Sequence, residues 1–311
     1  MTEVERIITE GRVPHNFLQP ETICDFFVDE NRKKVWAVGI DLLVKFDEVC
    51  RKHNLQYSLA FGSLLGCVRH NGFIPWDDDV DVVMPRADYE KLRNFKEEFN
   101  EPYFLQYPGE DEGYCFSIAR LRNNNTTSIS WAFRYEKFNQ GMFLDILPLD
   151  NFSSFNLEEN LERIKILIAE CSANMRRSCP FPDEYDKLKL KQFPEGRETQ
   201  IVVNKLNEVL QINQSILSDK YIVWCTSIYD YKKKIFDKYL FDDLVDFDFY
   251  GHVVKIPKDA KKVLQITYGD YMQFPPVEQR GTWHSIAMFN PDVPYKETIS
   301  ELIRKDKGLI K

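Results

Sequence analysis

The run Asp77-Asp78-Asp79-Val80-Asp81-Val82 leaves the fold of this chain least freedom. Asp79 and Asp81 alternate with valines, as in a β-strand, where side chains at i and i+2 share a face. Two carboxylates held that way repel each other, and they need a cation, a proton or open solvent to coexist. Upstream, LQYSLAF (55–61) reads as another strand and runs into Gly62-Ser63. A Gly-Ser turn there offers backbone N–H groups to a phosphate. If the two strands pair, turn and carboxylates meet at neighbouring strand ends. Metal on one side and phosphate on the other is an arrangement for phosphoryl transfer.

The surrounding pattern supplies a scaffold. Residues 1–30 read as an arm with short ordered pieces. Apolar residues from Val35 to Cys50 recur at spacings of three and four, so a helix is expected over 31–53, capped by Asn31. A short helix follows Gly62-Ser63 and stops at Asn71-Gly72, and another helix covers 86–99. Further strands are expected over 103–107, 114–121, 126–131 and 141–147. In the last of these, Asp145 is a lone acid among Met142, Phe143, Leu144, Ile146 and Leu147. Such an acid is costly to bury unless it is paired or bound to metal, and the acidic strand already found favours metal.

Beyond Asp150 helices are expected over 156–177, 199–220, 221–239 and 258–268. A Pro- and Gly-marked linker lies over 178–198, and a strand pair over 244–249 and 252–256. The chain therefore divides into an arm (1–30), a catalytic core (31–150), a mainly helical acceptor-side region (151–250) and a C-terminal segment (251–311) returning to the core.

A net charge of −8 argues against a nucleic-acid polymer as partner. Seven cysteines with no C-x-x-C pair fit reduced thiols in a cytoplasmic protein. No secretory leader or membrane-spanning run is recognisable. The aromatic segments around Trp224, Phe236 and Tyr239 have two readings, a buried core or contact with the inner face of a membrane.

The joined block Gly62-Ser63-Leu64-Leu65-Gly66, then Arg69-His70-Asn71-Gly72-Phe73-Ile74-Pro75-Trp76-Asp77-Asp78-Asp79-Val80-Asp81, resembles the LicD family. So do Phe143 to Asp150 (FLDILPLD), Tyr268-Gly269-Asp270-Tyr271 and Pro275-Pro276. The resemblance implies an α+β, nucleotidyltransferase-like fold: a mixed sheet flanked by helices, with a mainly α-helical C-terminal half. It also implies two metals held by three carboxylates.

The expected reaction moves phosphocholine, or a related alcohol phosphate, from CDP-choline or another CDP-alcohol to a sugar hydroxyl of a cell-surface glycan such as lipopolysaccharide or teichoic acid, releasing CMP. Asp79, Asp81 and Asp145 are the expected ligands of Mg²⁺ (or Mn²⁺), with Asp145 helping to take the acceptor proton. Asp77 and Asp78 are expected to orient the loop. Gly62 and Ser63 would hold donor phosphate, unless they form only a plain turn. Arg69 or His70 could reach phosphate or face solvent. Of Arg120 and Arg122, one would neutralise phosphates and the other face water. Trp76 could stack on the donor or wedge the loop, and His284 could touch a substrate or be structural. The alternatives are an NMP-transferring nucleotidyltransferase, a non-catalytic glycan- or lipid-carrier-binding scaffold, and a glycosyltransferase with a D-x-D metal motif.

Overall fold

The computed structural model describes residues 1–130, 133–180, 182–212, 214–224, 230–281 and 286–306. The chain begins with α1 (Glu3–Thr9) and a hairpin of β1 (Glu21–Ile23) and β2 (Phe26–Val28), then enters α2 (Glu30–Lys52). The long helix expected from periodicity buries Trp36, Ile40, Leu43, Phe46 and Cys50. Each such large apolar side chain contributes roughly 1.5–3 kcal/mol. Its cap is Asp29 rather than Asn31: the Asp29 carboxylate accepts from the Arg32 N–H at 2.8 Å. Asp41, fully buried in α2, accepts from Arg6 Nη2 at 2.7 Å and from the Tyr103 hydroxyl at 3.0 Å, and so ties α1 to the core.

Next come β3 (Ser58–Leu59), α3 (Phe61–His70), β4 (Val80–Pro85), α4 (Arg86–Leu92), β5 (Tyr103–Gln106), β6 (Ala119–Asn123), β7 (Thr127–Ser130) and β8 (Met142–Asn151). The second half contains α5 (Leu157–Asn174), α6 (Glu184–Gln192), α7 (Thr199–Leu210), β9 (Lys220–Val223), β10 (Ile235–Asp237), α8 (Tyr239–Asp242), β11 (Leu244–Phe249), β12 (His252–Pro257), α9 (Ala260–Tyr268), β13 (Ile286–Asn290) and α10 (Tyr295–Asp306).

A mixed sheet of seven strands is built around β8. β8 runs parallel to β4 and antiparallel to both β6 and β9. Strand β3 extends the β4 side antiparallel, and β10 extends β9. An apolar run nearly as long as β8 suits a strand covered on both faces. Arg86 clamps the end of β8 with two 2.7 Å bonds to the fully buried Asp150. A second apolar core, with Tyr114, Phe138, Ile164, Leu167, Val202, Leu206 and Trp224, lies under α5 and α7. The architecture is α+β and nucleotidyltransferase-like, as the sequence implied.

Three expectations change. The 221–239 helix does not form: β9 and β10 pair there, because KYIVW is a β-branched and aromatic run too short for helical periodicity to be diagnostic. Trp224 is buried in the second core and Phe236 in the first, whereas Tyr239 is exposed. The 178–198 linker contains α6, started by a capping box between Asp183 and Asp186. Among the described residues no helix is long and apolar enough to cross a membrane.

The segment between α3 and β4 folds back on α3 at Gly66, where a Cβ would lie 2.3 Å from the Gly72 carbonyl oxygen and 3.1 Å from the Ile74 nitrogen. Both are backbone atoms and have little room to yield. Gly66→Ala is expected to cost about 2–3 kcal/mol in a denaturant titration. At Gly39 the nearest atoms are side chains of Phe73 and Val80 at 3.2 and 3.3 Å. Gly39→Ala should stay within about 1 kcal/mol of wild type, since the gain in helix propensity offsets the crowding.

Candidate active site

Strand register sets the site. In the parallel pairing of β4 with β8, Asp81 stands opposite Asp145, and in the antiparallel pairing of β6 with β8, Arg120 stands opposite Asp145. Asp81, Asp145 and Arg120 therefore form one row across three strands. Just before β4, Asp79 completes a group in which oxygens of Asp79, Asp81 and Asp145 all lie within 4.8 Å of one another.

Arg120 Nε donates to Asp145 Oδ1 at 2.6 Å, and Nη2 reaches Oδ2 at 3.4 Å. Burial opposes the Arg120 charge, but Asp145 and Asp79 outweigh it and raise its pKa. Arg120 thus offsets charge on Asp145, within a group whose carboxylates would otherwise repel one another. The donors are all oxygen and converge on one point, a set that suits a hard divalent cation.

The helix α3 begins beside this row. Gly62 and Ser63 are not a separate turn but its first residues, and no side chain caps them. A helix N-terminus without a side-chain cap carries N–H groups and partial positive charge suited to an anion. The Ser63 hydroxyl accepts from the Asp81 N–H at 2.9 Å, locking α3 to β4. Phe61 opens the helix with φ +44°, a strained conformation for a bulky residue.

Gly62 lies so close to Asp77 that a Cβ would meet Asp77 Oδ2 at 2.5 Å. Burial, then Asp79 and Asp78, push the Asp77 carboxyl well above its usual pKa. The Asp77 carbonyl accepts from Trp36 Nε1 at 2.9 Å and from Arg32 Nη1 at 3.1 Å, which fixes the acidic loop on α2. Asp77, Asp78 and Asp79 also bring their carboxylates together.

Two cavities meet at Asp79 and Asp81. One, of about 580 Å³, includes Gly62, Asp77, Tyr268, Asp270, Tyr271 and Phe274. The other, of about 560 Å³, includes Asp145, Arg120, Phe116, Lys233, Lys234 and Thr267. Phe61 and Tyr268 line both. Burial and the nearby carboxylates Asp81, Asp77 and Asp79 raise the Tyr268 phenol above its ordinary pKa.

Other expected residues fall elsewhere. Trp76 is buried, edge-on to Phe26 and Phe274, with the Arg280 guanidinium 5.1 Å from its ring centroid; it wedges the loop while forming part of the first cavity's wall. Arg69 also lines that cavity, but its Nη1 is spent on the carbonyls of Tyr271 (2.7 Å) and Gln273 (3.3 Å). Burial and Arg69 lower the His70 pKa to about 4, so its ring is neutral at pH 7.

Arg122, expected at phosphate or in water, does neither. It is buried and donates to Gln106 Oε1 at 2.6 Å and to the Gly141 carbonyl at 2.7 Å. Burial and Arg120 lower its pKa to about 9, which still leaves it charged at pH 7. His284 lies outside the described residues. Phe61, Lys233 and Lys234 escaped the sequence reading. The lysine run 232–234 was a visible signal, but it was absorbed into an expected helix.

Residues 54–167 match the family described as LicD/FKTN/FKRP, nucleotidyltransferase domain. The chain is 26% identical over 273 residues to the lipopolysaccharide cholinephosphotransferase LicD of Haemophilus influenzae, covering 79% of this chain and 93% of that protein. An uncharacterized Rickettsia prowazekii protein is 29% identical over 131 residues, covering 40% of this chain and 46% of its own. Mannosyltransferase regulator 4 of Saccharomyces cerevisiae is 21% identical over 170 residues, covering 50% of this chain but 14% of the yeast protein.

Removing the positive end of the Asp81–Asp145–Arg120 row isolates its carboxylates. In EDTA, Arg120→Met is expected to lose about 3 kcal/mol in urea denaturation, and adding Asp145→Asn should restore at least half of it. Strictly additive losses would show that the row is not electrostatically coupled.

Proposed function

We propose, for a chain that belongs to the LicD family through its nucleotidyltransferase domain, that the protein is a phosphotransferase moving phosphocholine from CDP-choline to a sugar hydroxyl of a glycan, with CMP as the leaving group. The observation that carries this reading is the pair of cavities meeting at Asp79 and Asp81. Phosphoryl transfer brings a donor and an acceptor to one phosphorus, and two cavities that share one carboxylate pair give each substrate its own space.

The donor is assigned to the cavity holding the start of α3, where Gly62 and Ser63 can present backbone N–H groups to its phosphates. Tyr268 and Tyr271 there offer ring surface suited to a base or a trimethylammonium group, whereas Phe274 is already stacked on His70. The acceptor is assigned to the cavity holding Asp145. Asp79, Asp81 and Asp145 would hold Mg²⁺, which when bound supplies charge neutralisation and alignment at the phosphoryl oxygens.

Asp145, oriented by Arg120, would help to take the proton from the acceptor hydroxyl. The acceptor O–P bond forms as the bond from phosphorus to the CMP oxygen breaks, and the proton passes through Asp145 to solvent. Phe61 and Tyr268, lining both cavities, restrict water at the reacting phosphorus.

Turnover with a product assay tests this. Wild type with Mg²⁺ is expected to release CMP from CDP-choline. Asp79→Asn, Asp81→Asn and Asp145→Asn should each lose at least about 100-fold in kcat while keeping the wild-type circular dichroism spectrum. Near-normal turnover in any of them would remove that residue from the site, and pyrophosphate release from a nucleoside triphosphate would favour NMP transfer instead.

A further inference from the structure

Helix α2 meets the acidic loop along one face. Arg32 and Trp36 stand four residues apart, and so lie on the same side of the helix. Both donate to the same backbone oxygen: Trp36 Nε1 reaches the Asp77 carbonyl at 2.9 Å, and Arg32 Nη1 reaches it at 3.1 Å. Arg32 Nη1 also lies 3.5 Å from the Trp76 carbonyl. One turn further along α2, a Cβ at Gly39 would stand 3.2 Å from Phe73 and 3.3 Å from Val80. Phe73 also stacks on the fully buried Trp36 ring, with centroids 5.1 Å apart and planes 10° apart. The helix therefore holds the loop at Phe73, at Asp77 and at Val80, and Asp79 lies between the last two.

That hold opposes a repulsion. Oxygens of Asp77, Asp78 and Asp79 lie within 4.8 Å of one another. Three successive carboxylates so close together favour a loop that splays them apart. Two donors on one carbonyl fix the peptide that follows Asp77, and so direct the chain that delivers Asp79 toward Asp81 and Asp145. A buried indole N–H needs an acceptor in any core. What sets this one apart is its acceptor, a carbonyl two residues from Asp79 that Arg32 holds as well.

We infer that Trp36 is a positioning residue for the carboxylate group: its N–H holds the Asp77 carbonyl and thereby sets where Asp79 stands relative to Asp81 and Asp145 before a cation arrives. This role rests on the reading of those three carboxylates as a divalent-cation site. Trp36 lines neither of the two cavities at the site, so it acts through the loop and not on a substrate. A loop free to drift would have to be gathered again on binding, against its own repulsion, and cation affinity would fall. Trp36→Phe keeps an aromatic ring beside Phe73 and removes the donor.

Cation affinity can be read without turnover. The full chain is titrated with Mn²⁺ and the free ion is followed by electron paramagnetic resonance, for wild type, Trp36→Phe, Arg32→Met and Asp81→Asn, with melting temperatures recorded in EDTA. Trp36→Phe is expected to bind Mn²⁺ at least about fivefold more weakly than wild type, the scale of one hydrogen bond. A role in packing alone would lower the melting temperature and leave the Mn²⁺ affinity of the folded protein unchanged. Arg32 is partly exposed, and Arg32→Met decides the matter if Trp36→Phe does not fold. Removing a positive charge favours a divalent cation by Coulomb attraction, so weaker binding in Arg32→Met reports lost positioning. Wild-type affinity in Trp36→Phe, or, should that variant not fold, wild-type or tighter binding in Arg32→Met, would overturn the role of Trp36. Asp81→Asn is expected to lose Mn²⁺ binding. If it and wild type behave alike, the divalent-cation reading itself fails, and the role of Trp36 with it.

Discussion

Everything near the site depends on three acidic side chains sharing a few ångströms with one guanidinium. The sheet imposes this. Parallel pairing of β4 with β8 puts Asp81 opposite Asp145, and β6 brings Arg120 alongside. Arg120 neutralises part of the charge, and the convergent carboxylate oxygens are a donor set that suits a divalent cation. The rest of the fold holds the row in place. Ser63 accepts from the Asp81 N–H, α2 holds the Asp77 carbonyl through Trp36, and Arg86 pins the far end of β8 through Asp150.

The same geometry separates two approaches. Two cavities share Asp79 and Asp81: one is acidic and aromatic and includes the start of α3, and the other holds Arg120, Lys233 and Lys234 together with Asp145 and Asp230. Phe116 lines both the second cavity and a third one against α5, α6 and α7. The sheet thus supplies Asp81, Asp145 and Arg120, while Lys233, Lys234, Thr267 and Tyr268 come from elements after Asp150.

Much of this was legible in the amino-acid order because it is local. Alternation marks β4, a lone acid in an apolar run marks Asp145, and three- and four-residue spacing marks α2. Asn71 ends α3 in the left-handed conformation that short polar residues tolerate. What stayed hidden is non-local or ambiguous over short lengths. Nothing in the order of residues says that Arg120 rather than Arg122 faces Asp145, because that depends on a register fixed across three strands. The run KYIVW is compatible with helix or strand until β8 offers an edge. The strained Phe61 and the positions of Lys233 and Lys234 follow from tertiary packing alone.

The central claim is that the β4–β8 carboxylates bind the donor through a divalent cation. Isothermal titration of CDP-choline into the protein, with Mg²⁺ and then in EDTA, tests it most directly. Binding at least about tenfold tighter with Mg²⁺ is expected in wild type, with no such gain in Asp81→Asn. Equal affinity with and without Mg²⁺, or a full gain retained in Asp81→Asn, would contradict it.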